Sequence, residues 1–134
     1  MTDDANLKTV REIYEAFGRA DVGAILDRVT DDVDWAADTA STAAPWFGPR
    51  SGKEGVASFF EDLAAGTEVL EFTPLSFAAA NDEVHTLVSY RARFATTGRE
   101  VDMNLHHYFR LRDGKVAYYR GSEDTAQTVA AVGA

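Results

Sequence analysis

One histidine of this 134-residue chain stands where a strand pattern calls for an apolar side chain. From Val101 to Arg112, Met103, Leu105, Phe109 and Leu111 alternate with Asp102, Asn104, His106, Tyr108, Arg110 and Arg112. Successive strand residues face opposite sides, so the first set covers a core and the second faces outward. His107 falls in the core set, the only ionisable residue there. Burial should hold its imidazole neutral, able to donate one hydrogen bond and accept another. A core histidine tied to a backbone carbonyl or a tyrosine would satisfy the same pattern. Glu123 is the second candidate. Continuing the alternation through Ala117, Tyr119 and Gly121 points it inward, where partial burial would raise its pKa and suit it to a general base. A solvated or helix-capping glutamate at a strand end is the competing reading.

Two other constellations fail on geometry. His106 and His107 are neighbours on one strand and face apart, and His85 points outward by the same count, so no metal site is expected. Gly48-Pro49-Arg50-Ser51-Gly52-Lys53-Glu54 is one residue short of a phosphate loop and lacks the hydroxyl residue after lysine. A helix start explains it better: Ser51 at the N-cap and Glu54 three residues on match a capping box.

The elements that must hold these groups are readable along the chain. Leu7, Val10, Ile13, Tyr14 and Phe17 recur at helical spacing, predicting a helix over residues 4–18 that Gly18 ends. Asp21 can cap a second helix carrying Val22, Ile25, Leu26 and Val29. A short strand is expected over residues 32–37, then a loop over 38–50 marked by Pro45, Gly48 and Pro49. A third helix presents Val56, Phe59, Phe60 and Leu63 before Gly66. From Thr67 the period becomes two, with Pro74 signalling a bulge or a sheet edge. Asn81-Asp82, Thr97-Gly98 and Asp113-Gly114 mark the turns of a four-strand antiparallel meander. A tail with Thr128, Val129 and Val132 can close as a helix. Asp3-Asp4 and Asp31-Asp32 read as solvated caps. The whole is a single α+β domain spanning residues 1–134.

A net charge of −9 argues against nucleic acid and anionic membranes as partners. The acidic start Met1-Thr2-Asp3-Asp4 shows no secretory signal, and no segment is long and apolar enough to cross a membrane. With no cysteine, disulfides, thiolate nucleophiles and cysteine zinc sites are excluded, and a cytoplasmic protein is expected.

Three segments in this order, Tyr14-Glu15-Ala16-Phe17 leading to Asp21, Asp31-Asp32-Val33-Asp34-Trp35, and Phe109 through Asp113-Gly114-Lys115-Val116, resemble the NTF2-like superfamily. With Arg120 and Asp124-Thr125-Ala126, the likeness is to its SnoaL-like, ketosteroid-isomerase-like branch, and it covers nearly the whole chain. The resemblance implies a cone-shaped NTF2-like fold. Three helices from the N-terminal half would pack on a curved, mainly antiparallel sheet around a ligand cavity. It also implies a homodimer formed through the outer sheet face, which would account for Tyr108 and Tyr118, although two sheet-forming tyrosines need no partner.

By position His107 is similar to the oxyanion-hole aspartic acid of the isomerases. The isomerase base on the first strand would fall at Ala37, with Asp38 adjacent and able to turn inward only through a bulge. The helix-1 tyrosine would fall at Ile13, one step from Tyr14. The polar trio of the epoxide hydrolases would fall at Val88, Tyr90 and Gly121. Catalytic candidates are therefore His107, Glu123 and Asp38. Tyr14, Trp35, Trp46, Tyr90, Met103 and Tyr119 are the expected substrate-binding wall, with Trp46 as a lid at the mouth. The implied function is a cofactor-independent proton-transfer enzyme, an isomerase, dehydratase or cyclase, acting on an apolar cyclic oxygenated molecule. A non-catalytic small-molecule-binding or accessory protein of the same fold is the alternative.

Overall fold

The computed structural model describes residues 2–133. Helix α1 (Asp3–Gly18) begins where the Thr2 hydroxyl accepts a hydrogen bond from the Ala5 amide, and Asp3 and Asp4 sit in its first turn, where the helix dipole favours negative charge. The Asp21 carboxylate caps α2 (Val22–Leu26) through the Ala24 amide at 3.0 Å. Val29 does not extend α2. It opens β1 (Val29–Ala37), pairing with Val116, so the first strand starts three residues before the expected boundary.

Strand β2 (Arg50–Ser51) pairs antiparallel with β1 and leads into α3 (Gly52–Gly66). The expected capping box does not form. Ser51 is extended and paired with Asp34, and its hydroxyl makes no cap hydrogen bond. Gly66 ends the helix for a packing reason too, because a Cβ there would meet the Trp46 ring at 2.7 Å.

Strands β3 (Thr67–Ala80), β4 (Glu83–Phe94), β5 (Glu100–Arg112) and β6 (Lys115–Ser122) form the meander, and α4 (Thr125–Val132) follows. The sheet order is β2-β1-β6-β5-β4-β3, with β1 parallel to β6 and every other pair antiparallel. Asn81 and Asp82, and again Asp113 and Gly114, take positive φ as consecutive pairs, the geometry of tight two-residue hairpins. Strand β3 is an edge strand with register shifts at Val69/Glu71 and Pro74/Ser76, so Pro74 marks both an edge and a bulge.

Alternation on β4 buries Val84, Thr86, Val88, Tyr90, Ala92 and Phe94, and β5 buries its odd-numbered residues from Val101 to Leu111. The helices cover this concave face. Phe109, 1% exposed, lies at its centre, and a fully buried phenylalanine contributes about 1.5–3 kcal/mol. The Asn6 side chain ties α1 to the β3–β4 turn by donating to Asp82 at 3.0 Å.

Candidate active site

A partly open cavity of ≈ 90 Å³ lies between the helices and the concave sheet. The β5 pleat places His107 in its wall, 9% exposed, between Leu105 and Phe109. Its Nδ1 lies 2.7 Å from the Tyr14 hydroxyl, and the two rings stack with centroids 5.8 Å apart. Tyr14 comes from the fourth turn of α1, where Ile13 and Phe17 also face the cavity. Burial drives the His107 pKa down to about 3, with the neighbouring His106 adding to the effect, so the imidazole is neutral over the physiological range. Burial likewise raises Tyr14, only partly offset by the Thr86 hydroxyl. Both members of the pair are therefore neutral. A neutral Tyr–His pair holds one hydrogen between its two atoms and has one N–H or O–H left over, whichever tautomer is present. That remaining donor is the site's chemical asset.

Tyr119 crosses above β6, stacked on Trp35 with centroids 4.0 Å apart and edge-on to His107 at 5.3 Å. It is held there by Gly121, because a Cβ at that residue would overlap the Tyr119 hydroxyl. Burial raises the Tyr119 pKa well above its ordinary value, and Tyr14 and Glu123 push the same way. Tyr90, on β4, is raised by burial and then by Glu123.

Glu123 follows the last residue of β6 and lines the cavity beside Ser122. Its Oε2 accepts a hydrogen bond from Thr128 on α4, itself a lining residue. Burial raises the Glu123 pKa, Thr128 opposes this by bonding the charged form, and Asp124 reinforces the rise.

Several expectations need correction. Asp38 is exposed and does not reach the cavity: its amide donates to the Gly121 carbonyl at 2.7 Å, and its carboxylate accepts a long bond from Ser122 at 3.4 Å. The bulge that would have turned it inward lies earlier, between Val29 and Asp34, and leaves Trp35 and Ala37 facing the cavity. Met103 is buried but outside the cavity wall, near the point where the Asp102 amide donates to Gln127 and binds α4 to this end of β5. Trp46 lines the cavity as a fixed wall rather than a lid, 5% exposed and edge-on to Phe94 at 5.5 Å. Tyr14, Trp35, Tyr90 and Tyr119 all line it as expected. Sequence reasoning missed Phe72 on the edge strand and Thr128 on α4. The spacing of Tyr14 and Phe17 hinted at the first helix face, but nothing local signals Thr128.

His106 and His85 are exposed on the opposite face, and among the described residues no group of three potential metal ligands occurs. No helix among them is long and apolar enough to cross a membrane.

Residues 10–119 match the sequence pattern of the SnoaL-like domain. The chain belongs to this family. An uncharacterized protein from Mycobacterium tuberculosis is 28% identical over 102 residues, 76% of each chain. Among solved structures, an NTF2-like protein of unknown function from Burkholderia pseudomallei superposes with a TM-score of 0.89 at 25% identity, covering 100% of both chains. TerC, co-crystallized with polyporic acid, superposes with a TM-score of 0.83 at 20% identity over 97% of this chain and 99% of that one.

Proposed function

We propose that this SnoaL-like protein is a cofactor-independent proton-transfer enzyme of the isomerase, dehydratase or cyclase type. Its substrate is an apolar cyclic molecule carrying an oxygen function. The observation that carries the reading is the 2.7 Å Tyr14–His107 hydrogen bond inside a mainly apolar cavity that Glu123 also lines. The hydrogen left over on this pair donates to a substrate carbonyl oxygen. As a proton leaves the adjacent carbon, negative charge builds on that oxygen and the bond shortens and strengthens. In a water-poor setting such a donor is worth about 10²–10³-fold in turnover. Glu123 takes the proton from carbon and returns it at another atom, which completes an isomerisation. If a hydroxyl on the next carbon departs instead, taking up the proton from Glu123 and leaving as water, the same first step leads to a dehydration. The raised Glu123 pKa makes its carboxylate a stronger base than a solvated one, at the cost of requiring pH above that value. The aromatic walls of Trp35, Tyr119 and Phe109 suit a flat ring, and polyporic acid held by TerC is a ligand of that kind.

The alternative, a small-molecule-binding protein without turnover, is favoured by the inward positions of β1, where Trp35 and Ala37 offer no carboxylate. Incubation in heavy water with a panel of enolisable cyclic ketones, followed by mass spectrometry, separates the two. Deuterium uptake that disappears in His107→Ala and Glu123→Gln is expected. Ligands that bind with no uptake anywhere in the panel would establish the binder. We also propose a homodimer through the outer sheet face, where Tyr108, Tyr118 and the Arg110 guanidinium cluster, with a chain mass in solution twice that of the monomer as its test.

A further inference from the structure

The inner cavity is small for the substrate class proposed for it. An apolar protein cavity of about 150 Å³ accommodates benzene, whereas this one measures ≈ 90 Å³. The missing room lies next to it. A groove of ≈ 480 Å³ runs between the C-terminal end of α1, helix α2, the last turns of α3 and the edge strand β3. Tyr14, Phe17, Phe60, Leu63 and Phe72 belong to both walls, so the partition between cavity and groove consists of side chains. Its centre is three phenylalanines, with Phe17 against Phe72 at 4.7 Å and against Phe60 at 5.8 Å. All three rings are only half-buried, so the partition between the two spaces is part-exposed side chain rather than backbone.

Chemistry in the groove points to one kind of occupant. Each polar side chain along it is already engaged. Asp21 caps α2, Thr67 donates to the Leu63 carbonyl at 2.7 Å, and Glu71 accepts from Ser89 at 2.7 Å. What remains is aliphatic surface, including Val22, Ala64 and Val69, the last 39% exposed. The aliphatic part of that surface gains free energy by covering hydrocarbon, while the carboxylates of Asp21 and Glu71 mark its polar margin.

We propose that the groove is a second subsite, taking the apolar remainder of a molecule whose oxygen-bearing ring edge is held at Tyr14 and His107, with the Phe17–Phe72 seam as the passage between them. The placement of the ring rests on the proton-transfer reading; the groove and its occupant do not. The substrate class is thereby narrowed to a cyclic oxygenated head carrying an alkyl or aryl extension.

Calorimetric titration with phenol, 4-ethylphenol, 4-butylphenol and 4-hexylphenol tests this. In the unaltered protein affinity should climb about two- to fourfold per methylene, following hydrocarbon burial. Ala64→Trp, at an exposed position of α3, fills the groove and should flatten the series so that 4-hexylphenol binds within about threefold of phenol. Val22→Trp, from the opposite wall, should do the same. A series already flat in the unaltered protein, while phenol binds, overturns the subsite and leaves the proton-transfer reading standing. A climb that persists in both variants overturns it as well, since the arm then lies elsewhere. Failure of every phenol to bind removes the subsite, and deuterium exchange still answers for the chemistry. A dimer that Ala64→Trp dissociates would make the groove an interface between copies and overturn the proposal.

Discussion

His106 and His107 are consecutive residues with identical side chains, and the pleat of β5 gives them different chemistry. His106 stands among Asn104, Tyr108 and Arg110 on the outer face, exposed. His107 faces the cavity, shares a hydrogen bond with Tyr14 and is held neutral by burial. The outer face offers comparable ring chemistry without enclosure: Arg110 and Arg120 lie over Tyr118 at 4.6 and 4.2 Å, where water competes for every charge. Enclosure, rather than residue type, separates the shielded imidazole from the solvated one.

The sharpest way to break this contrast is to remove each histidine in turn. His107→Ala should lower turnover in the deuterium-exchange assay by about 10²–10³-fold with a smaller loss in ligand affinity, and His106→Ala should leave exchange unchanged. Equal losses in turnover and binding at His107 would remove its oxyanion role.

Acid unfolding supplies the next largest effect. The His107 pKa is about 3 in the folded chain against an ordinary 6.5, so the unfolded state takes up a proton first as pH falls. Stability is therefore intact above about pH 6.5 and lost progressively below it, by about 2 kcal/mol at pH 5. Denaturant titrations at pH 7.5 and 5 should show that decrement in the unaltered protein and not in His107→Gln. An equal decrement in both would mean that His107 is not shielded.

Gly121→Ala should cost about 1–3 kcal/mol and evict the Tyr119 ring from its place over β6, visible in near-ultraviolet circular dichroism. Glu123→Gln should raise the melting temperature at pH 8 but not at pH 4. A carboxyl with a raised folded pKa contributes stability at low pH and loses it as pH rises through that pKa, whereas glutamine never ionises. The outer face should yield least, with Tyr118→Ala costing about 0.5–1 kcal/mol through its arginine contacts.

These residues also show which parts of the site strict alternation could reveal. On β4 and β5 the ladder runs unbroken from Glu83↔Arg110 to Arg93↔Glu100, so counting by twos placed His107 correctly. On β6 a register shift falls between the Val116 and Tyr118 pairs, and Val116 rather than Ala117 is buried. The count that led to Glu123 through Ala117 therefore began on the wrong parity and became right only from Tyr119 onward. Glu123 itself lies beyond the strand, oriented by Thr128 on α4, a contact with no local signature. Asp38 and Met103 failed for related reasons, a bulge lying earlier in β1 and a helix end packing on β5. Ile13 and Tyr14 both line the cavity, because a helix edge presents adjacent positions where a strand would separate them. Fold and turn chemistry are local and periodic, whereas the site depends on interruptions of that period.

The irregular edge strand has a consequence for the protein in bulk. Strand β3 is 14 residues long, and the two exposed large hydrophobic residues of the described chain, Val69 and Leu75, both lie on it. A straight edge of that length and character would template the addition of further chains and seed fibrils. Pro74 removes one donor from it, and the shifts at Val69/Glu71 and Pro74/Ser76 break the repeat that an incoming strand would need to match. The bulged edge that borders the groove is therefore a poor template for an added strand.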